Sequence, residues 1–263
     1  MPWHNKNTYG YLKESTEAHD NATMVMDILS TLGWGKAAIC AALGNFEAES
    51  NYNPWRWQSE TVLPVGDSRI GVVCGDNTGH AYGIFQSDPA ANYIYRSEAQ
   101  AFAGYAPNYS NQVGGQNDGT AQMQYLNWVC TQYSSGACGG WNQSYLDAIP
   151  FATFKAQNDL STYTIAQLTK IFHDGYERSA RWSSTASTRI GAAQYWWDYF
   201  GGYVPPTPSG GNGAWFAVFH AIKKRKSNFY AQPRKRGDKI WRCRLYRFKL
   251  KTLSRPALRR TAL

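Results

Sequence analysis

The sequence predicts a mainly α (α+β) domain with a long irregular loop section, followed by a basic C-terminal tail. Three observations carry this reading. Apolar residues recur at helical spacing in five windows. Between the second and third windows lies a stretch rich in Gly, Asn, Asp, Tyr and Trp. Charge is divided abruptly near residue 213. Hydrophobic residues make up 43% of the 263, so the chain can bury a core without relying on metals or disulfides.

The first helix is expected over roughly 15–32, where Ala22, Val25, Met26, Leu29 and Leu32 share a face and Gly33 supplies a stop. The second runs from Lys36 to Ser50, with Ile39, Ala42, Leu43 and Phe46 as its apolar stripe. Asn51-Tyr52-Asn53-Pro54 ends it, because the residue before a proline is pushed out of the helical region. Residues 55–119 read as loops with a short hairpin around Ile70–Val73. Helical spacing returns near 120–133, over 164–175 and over 186–200, the last closed by Gly201-Gly202.

Organisation follows from composition. Residues 1–14 are a polar and aromatic arm, and 15–203 form the globular domain. Residues 204–213 have the Pro/Gly composition of a linker. Residues 214–263 hold 16 Lys/Arg against the single acid Asp238, whereas residues 1–213 carry a net −6. Such a tail suits an anionic polymer, a membrane surface or a protein partner. It matches no recognised nucleic-acid-binding motif, so nucleic acid is not an expected partner.

Mean hydropathy is −0.52, with no run of 18 apolar residues, so no transmembrane helix is expected. The N-terminus lacks the apolar stretch of a secretory signal. Action outside the cell would therefore need another exit route. Of five cysteines, Cys130 and Cys138 bracket a small polar loop and are candidates to pair, or else they are free thiols. Cys40 lies on an apolar helix face. Histidines and cysteines show no metal-ligand spacing, and neither a metal nor a cofactor is predicted.

The most informative segment is Gly44-Asn45-Phe46-Glu47-Ala48-Glu49-Ser50-Asn51-Tyr52-Asn53-Pro54. Two residues turn a helix by about 200°, so Glu47 and Glu49 cannot face one site. Glu49 lies in the last turn, where the negative end of the helix dipole disfavours a carboxylate. A carboxylic acid kept protonated is what a general acid requires. Both glutamates also fit a solvated helix face.

Glu49-Ser50 followed by Asn53-Pro54 resembles the Glu-Ser and Asn-Pro signature of goose-type lysozymes and lytic transglycosylases. Tyr82-Gly83-Ile84-Phe85-Gln86 is similar to their glycine-started turn, which sets a glutamine beside the cleft. A narrower resemblance is to the phage tail lysozymes, closest to the tail-tip lysozymes of short-tailed phages of Gram-positive bacteria. It rests on Gly33-Trp34, Ala38-Ile39-Cys40, Leu43-Gly44-Asn45, Trp57-Gln58 and Pro89 to Ile94. Ile171 to Arg178, with Tyr195-Trp196 downstream, stands for that family's third block. The resemblance covers roughly residues 20–202. Ser179 replaces the family's usual proline, Ser87 a frequent tryptophan, and residues 59–80 are longer than the usual connection.

The resemblance implies a lysozyme-like fold and a peptidoglycan-degrading glycosidase of a phage tail or lytic enzyme. It would cleave the β-1,4 bond between N-acetylmuramic acid and N-acetylglucosamine, by hydrolysis or as a lytic transglycosylase. Glu49 would be the general acid, with Gln86, Glu177, Tyr82 and Asn53 binding substrate or shaping the cleft. Glu177 has a second reading, as a buried structural acid bonded to backbone, Arg178 or Arg189. Asp67, Asp76 and Asp88 are further positions for a second acid. Trp55, Trp57, Tyr82 and Tyr93 could stack on sugar rings or be ordinary core aromatics. The alternative function is a non-catalytic wall-binding or virion structural protein built on a degenerate lysozyme domain.

Overall fold

The computed structural model describes residues 2–204, apart from 7, 65, 75–78, 104–114 and 116. The expected linker beyond residue 204, the basic tail and Asp76 lie outside the described residues. The fold is mainly helical, and among the described residues pairing between extended segments is confined to single bridges such as Trp57 with Tyr82 and Tyr82 with Ser87. The helices are α1 (Thr16–Thr31), α2 (Lys36–Ser50), α3 (Ala91–Ile94), α4 (Ser97–Phe102), α5 (Asp118–Gln132), α6 (Phe151–Lys155), α7 (Ile165–Phe172) and α8 (Trp182–Tyr199). None of them is long and apolar enough to cross a membrane.

Helix α2 occupies the centre. Every residue from Ala37 to Phe46 is buried, so the expected stripe is a helix buried all round. Small side chains make this possible: six of its residues are Ala or Gly, and α8 and α7 pack closely on it. At Gly44 an added Cβ would overlap the Arg189 carbonyl and the Ala193 side chain of α8. The start of α2 has no side-chain cap. Its orphan N–H groups are met instead by Asn158 Oδ1 and the Gln157 carbonyl, 3.2 and 3.0 Å away.

Local chemistry sets the other helix limits. Ser15 caps α1 by accepting from the Ala18 N–H, and Gly33 follows the helix with φ +83°. Thr164 and Gln167 form a reciprocal capping box at the start of α7. Helix α2 ends through Asn51, left-handed at φ 47°, and Tyr52 at φ 60°. The stop therefore precedes Pro54 by three residues and does not depend on it.

Three sequence expectations change. The hairpin around Ile70–Val73 is absent; Ser68–Ile70 is a short 3-10 turn capped by Asp67, followed by Gly71 at φ 84°. The short helices α3, α4 and α6 fall where no helix was expected. Residues 2–14, read as an arm, lie against the body. Trp3 is buried and donates to Thr120 Oγ1, while the Asn53 amide donates to the carbonyls of Lys6 and Thr8.

The cysteines also resolve differently from the sequence reading. Cys138 is bonded to Cys74, 64 residues away, and Cys130 is a free buried thiol. Cys40 is core, and burial pushes its thiol up to about 12.

Two stability outcomes follow. Gly44→Val should overpack the α2–α8 contact and lower unfolding free energy by about 1–3 kcal/mol, measured by denaturant melts. Replacing Cys74 and Cys138 by serine should lower it by about 2–4 kcal/mol. That second loss should vanish when both proteins are compared fully reduced.

Candidate functional site

The carboxyl end of α2 carries Glu49 and Ser50 and is tied to the turn that lines a cavity of about 420 Å³. Ser50 Oγ donates to the Ile84 carbonyl at 2.7 Å, tying that end to the turn that carries Gln86. A second tie comes from α5. Its Gln122 amide accepts from the Ile84 N–H at 2.7 Å and donates to the Pro54 carbonyl at 2.7 Å. Gly83, at φ 93°, lets this turn sit directly on the Gln122 amide.

Gln86 lines the cavity. It sits at φ 45°, and its amide donates to the carbonyls of Gly83 and Arg56. The turn is closed beneath by Tyr82, whose hydroxyl donates to Asp118 at 2.5 Å. Tyr93 donates to the same carboxylate at 2.6 Å. Asp118 opens α5, where the positive end of the helix dipole stabilises its charge.

Glu177 reaches the cavity from a different element. After Phe172 the helix widens into a π turn, His173–Glu177, closed by Arg178 in the left-handed region. Such a bulge changes which side chains face inward. Glu177, Tyr176 and Arg178 line the cavity. Glu177 Oε1 is buried without a partner among the described residues. Its carboxyl is held well above the usual range, first by burial and then by the charge of Glu49, against the opposing effect of Arg189 and Arg178. Arg178 is itself spent on backbone, donating to the Gly140 and Gly175 carbonyls at 2.8 and 2.7 Å.

Glu49 is partly open, with 19% of its side chain exposed. Its Oε1 accepts from Arg189 Nη2 at 2.5 Å. Glu47 points elsewhere, accepting from the Tyr52 hydroxyl at 2.8 Å and approaching Lys13. The helical argument that separated the two acids therefore holds.

The π turn is braced from behind. Burial pushes the Asp174 carboxyl up, but hydrogen bonds from Lys170, His173 and the Asp147 N–H together bring it below the usual range. Burial pushes His173 down. Its Nδ1 lies 2.9 Å from Asp174 Oδ1, and its Nε2 lies 3.1 Å from Ser179 Oγ. This Ser–His–Asp line has the bonding order of a nucleophilic triad. None of the three borders the cavity, and their role here is to hold the turn.

The sequence-derived site residues thus separate. Gln86 and Glu177 share the cavity wall, with Glu49 close enough to act on the Glu177 charge. Tyr82 and Asn53 are fully buried and act beneath the surface. Trp57 and Tyr93 are core, and Trp55 is half-buried. Asp67 is bonded to Arg69, which pulls it down to about 2; it lies outside the cavity lining. Asp88 is exposed at the cavity rim, where loss of water contact raises its carboxyl. Sequence reasoning missed two elements. One is the lining disulfide, Cys74–Cys138. The other is Arg189 as the partner of Glu49, signalled only by a basic residue on a helix that packs against α2.

The family model for phage tail lysozyme matches residues 20–200. The chain belongs to the phage tail lysozyme family. It is also similar to Morphogenesis protein 1 of Bacillus phage B103, at 28% identity over 195 residues. The match covers 74% of this chain and 42% of that protein, so the chain spans less than half the length of that curated relative. The family match takes in α2, the Gln86 turn and the π turn together.

The buried carboxyl of Glu177 yields a stability outcome. Its folded-state value lies above the 4.5 of a free glutamate. Its contribution is therefore fully present below pH 4.5 and is lost as pH rises through the folded value. Glu177→Gln should gain melting temperature relative to wild type as pH rises from 4 to 8. A difference that stays constant across that range would show that the carboxyl is not buried as described.

Proposed function

We propose that the chain is a peptidoglycan-degrading glycosidase that cleaves the β-1,4 bond between N-acetylmuramic acid and N-acetylglucosamine. The supporting observation is that Glu177 lines one cavity with the Gln86 turn, while Glu49, on a separate element, lies close enough to act on the Glu177 charge. A glycosidase needs a protonated carboxyl for the leaving oxygen and an ionised one near the developing positive charge. Two neighbouring carboxylates with unequal surroundings meet that need.

The assigned acid is Glu49, at the position of the family signature. Its proton passes to the glycosidic oxygen as the bond to C1 of the muramic acid breaks. Water then adds to C1 and its proton returns to the centre, giving hydrolysis. Attack by the muramyl 6-hydroxyl instead gives a 1,6-anhydro end. Gln86 and the backbone of its turn orient the sugar, while Tyr82 and Asn53 hold the scaffold beneath. A second division of roles is favoured by the Arg189 contact. Glu49, bonded to Arg189, would face the developing positive charge, and Glu177 would donate the proton.

The expected setting is a phage particle or released lytic enzyme acting on the host wall. The basic tail would bind anionic wall polymer, a membrane surface or other tail proteins.

Clearing of purified peptidoglycan tests the reading. Wild type should clear it, and Glu49→Gln should be slower by about 10²–10⁴-fold. Glu177→Gln losing as much while Glu49→Gln retains a tenth or more of the rate would select the second division of roles. No clearing by wild type across several wall types, with wall binding intact, would select the non-catalytic alternative. Mass spectrometry of the products separates the two chemistries through the presence or absence of anhydro-muramyl ends.

A further inference from the structure

Arg189 is only 2% exposed, and it lies where α8 crosses the last turns of α2. Its Nε donates to Thr185 Oγ1 at 2.9 Å. Nη1 donates to the Asn45 side chain at 2.9 Å and to the Asn45 carbonyl at 3.3 Å. Nη2 donates to Glu49 Oε1 at 2.5 Å. Asn45 is itself fixed, since its amide donates to the Ala41 and Thr169 carbonyls. The guanidinium fork is therefore set before it meets Glu49. A lysine could not reproduce the arrangement, because one ammonium cannot present this planar set of donors.

The surrounding charges make the contact consequential. Glu49 comes from α2, while His173, Asp174, Glu177 and Arg178 come from the π turn and its close. Asp174 is neutralised by Lys170 and bonded to His173. Arg178 is committed to the Gly140 and Gly175 carbonyls. Among these cations Arg189 is the one bonded directly to Glu49. It leaves Glu177 Oε1 unpartnered.

We propose that Arg189 is a positioning residue that orients Glu49 and divides the roles of the two carboxylates. The inference rests on the glycosidase reading above. Its carboxylate contact is made from a helix 140 positions away in sequence. The charge of Arg189 opposes protonation of Glu177 and of His173. Removing it should therefore move both titrations, and the pH–rate profile with them, toward alkaline pH.

The test uses the full chain and soluble, uncross-linked peptidoglycan strands, with kcat and KM measured from pH 4 to 9. Arg189→Gln should lose about 10²-fold in kcat with little change in KM, and its profile should shift to higher pH. Thr185→Val removes one acceptor of the fork at a half-buried position, where folding is little disturbed. It should lose roughly fivefold in kcat, the equivalent of one ordinary hydrogen bond. A folded Arg189→Gln with wild-type kcat, or with reduced kcat and an unmoved profile, overturns the proposal. So does Thr185→Val with wild-type kcat, which decides the matter if Arg189→Gln does not fold. The underlying reading fails separately: Glu49→Gln and Glu177→Gln would then both retain full activity.

Discussion

The burial of α2 on every side from Ala37 to Phe46 is the constraint on which the rest depends. A helix without a solvent face must be built from small residues where its neighbours cross it closely. Gly44 and the alanines around it meet that demand against α8. Once α2 is enclosed, its carboxyl end is fixed relative to α7, α8 and the Gln86 turn. Glu49 and Ser50 inherit that rigidity. Ser50 is spent on the Ile84 carbonyl, so the two neighbours in the signature divide the work, one holding the turn and the other meeting Arg189.

The cavity shows how polar groups are made affordable in such a core. Most buried polar atoms around it are bonded. Asp118 receives two tyrosine hydroxyls, Asp174 receives Lys170 and His173, and Gln122 joins Pro54 to Ile84. Glu177 departs from this pattern with a buried oxygen lacking a partner. An unpaired acceptor is an expensive feature unless it is neutralised by a proton. The π turn that delivers it is a local departure from regular helix at the same place. Irregular backbone and an unsatisfied carboxyl coincide at the residue that borders the cavity.

Much of this was legible in the sequence. The limits of α2 could be read from Lys36 to Ser50 because the apolar run is long and ends at an abrupt Asn-Tyr-Asn-Pro. The opposed directions of Glu47 and Glu49 follow from helix geometry alone. Other features had no local signature. Helices α3, α4 and α6 have six residues or fewer, too short for periodicity to register. Trp57, Tyr82 and Tyr93 are equally suited to stack on a sugar or on each other, and tertiary burial decides the matter. The Cys74–Cys138 bond and the Arg189–Glu49 contact join positions 64 and 140 residues apart. Single-sequence reasoning has no means of pairing residues at that distance.

The docking of residues 2–14 bears on where the globular unit starts. Asn53 and Asn21 act as clasps: each turns its amide toward backbone of this segment, Asn53 to Lys6 and Thr8 and Asn21 to His4. Tyr11 then reaches the Asn51 carbonyl at the end of α2. A protein engineer trimming the chain to its smallest working unit would find the natural cut at residue 15 misleading. Removing the segment would strand two buried amides, and it would uncover the left-handed corner that stops α2 one residue after Ser50.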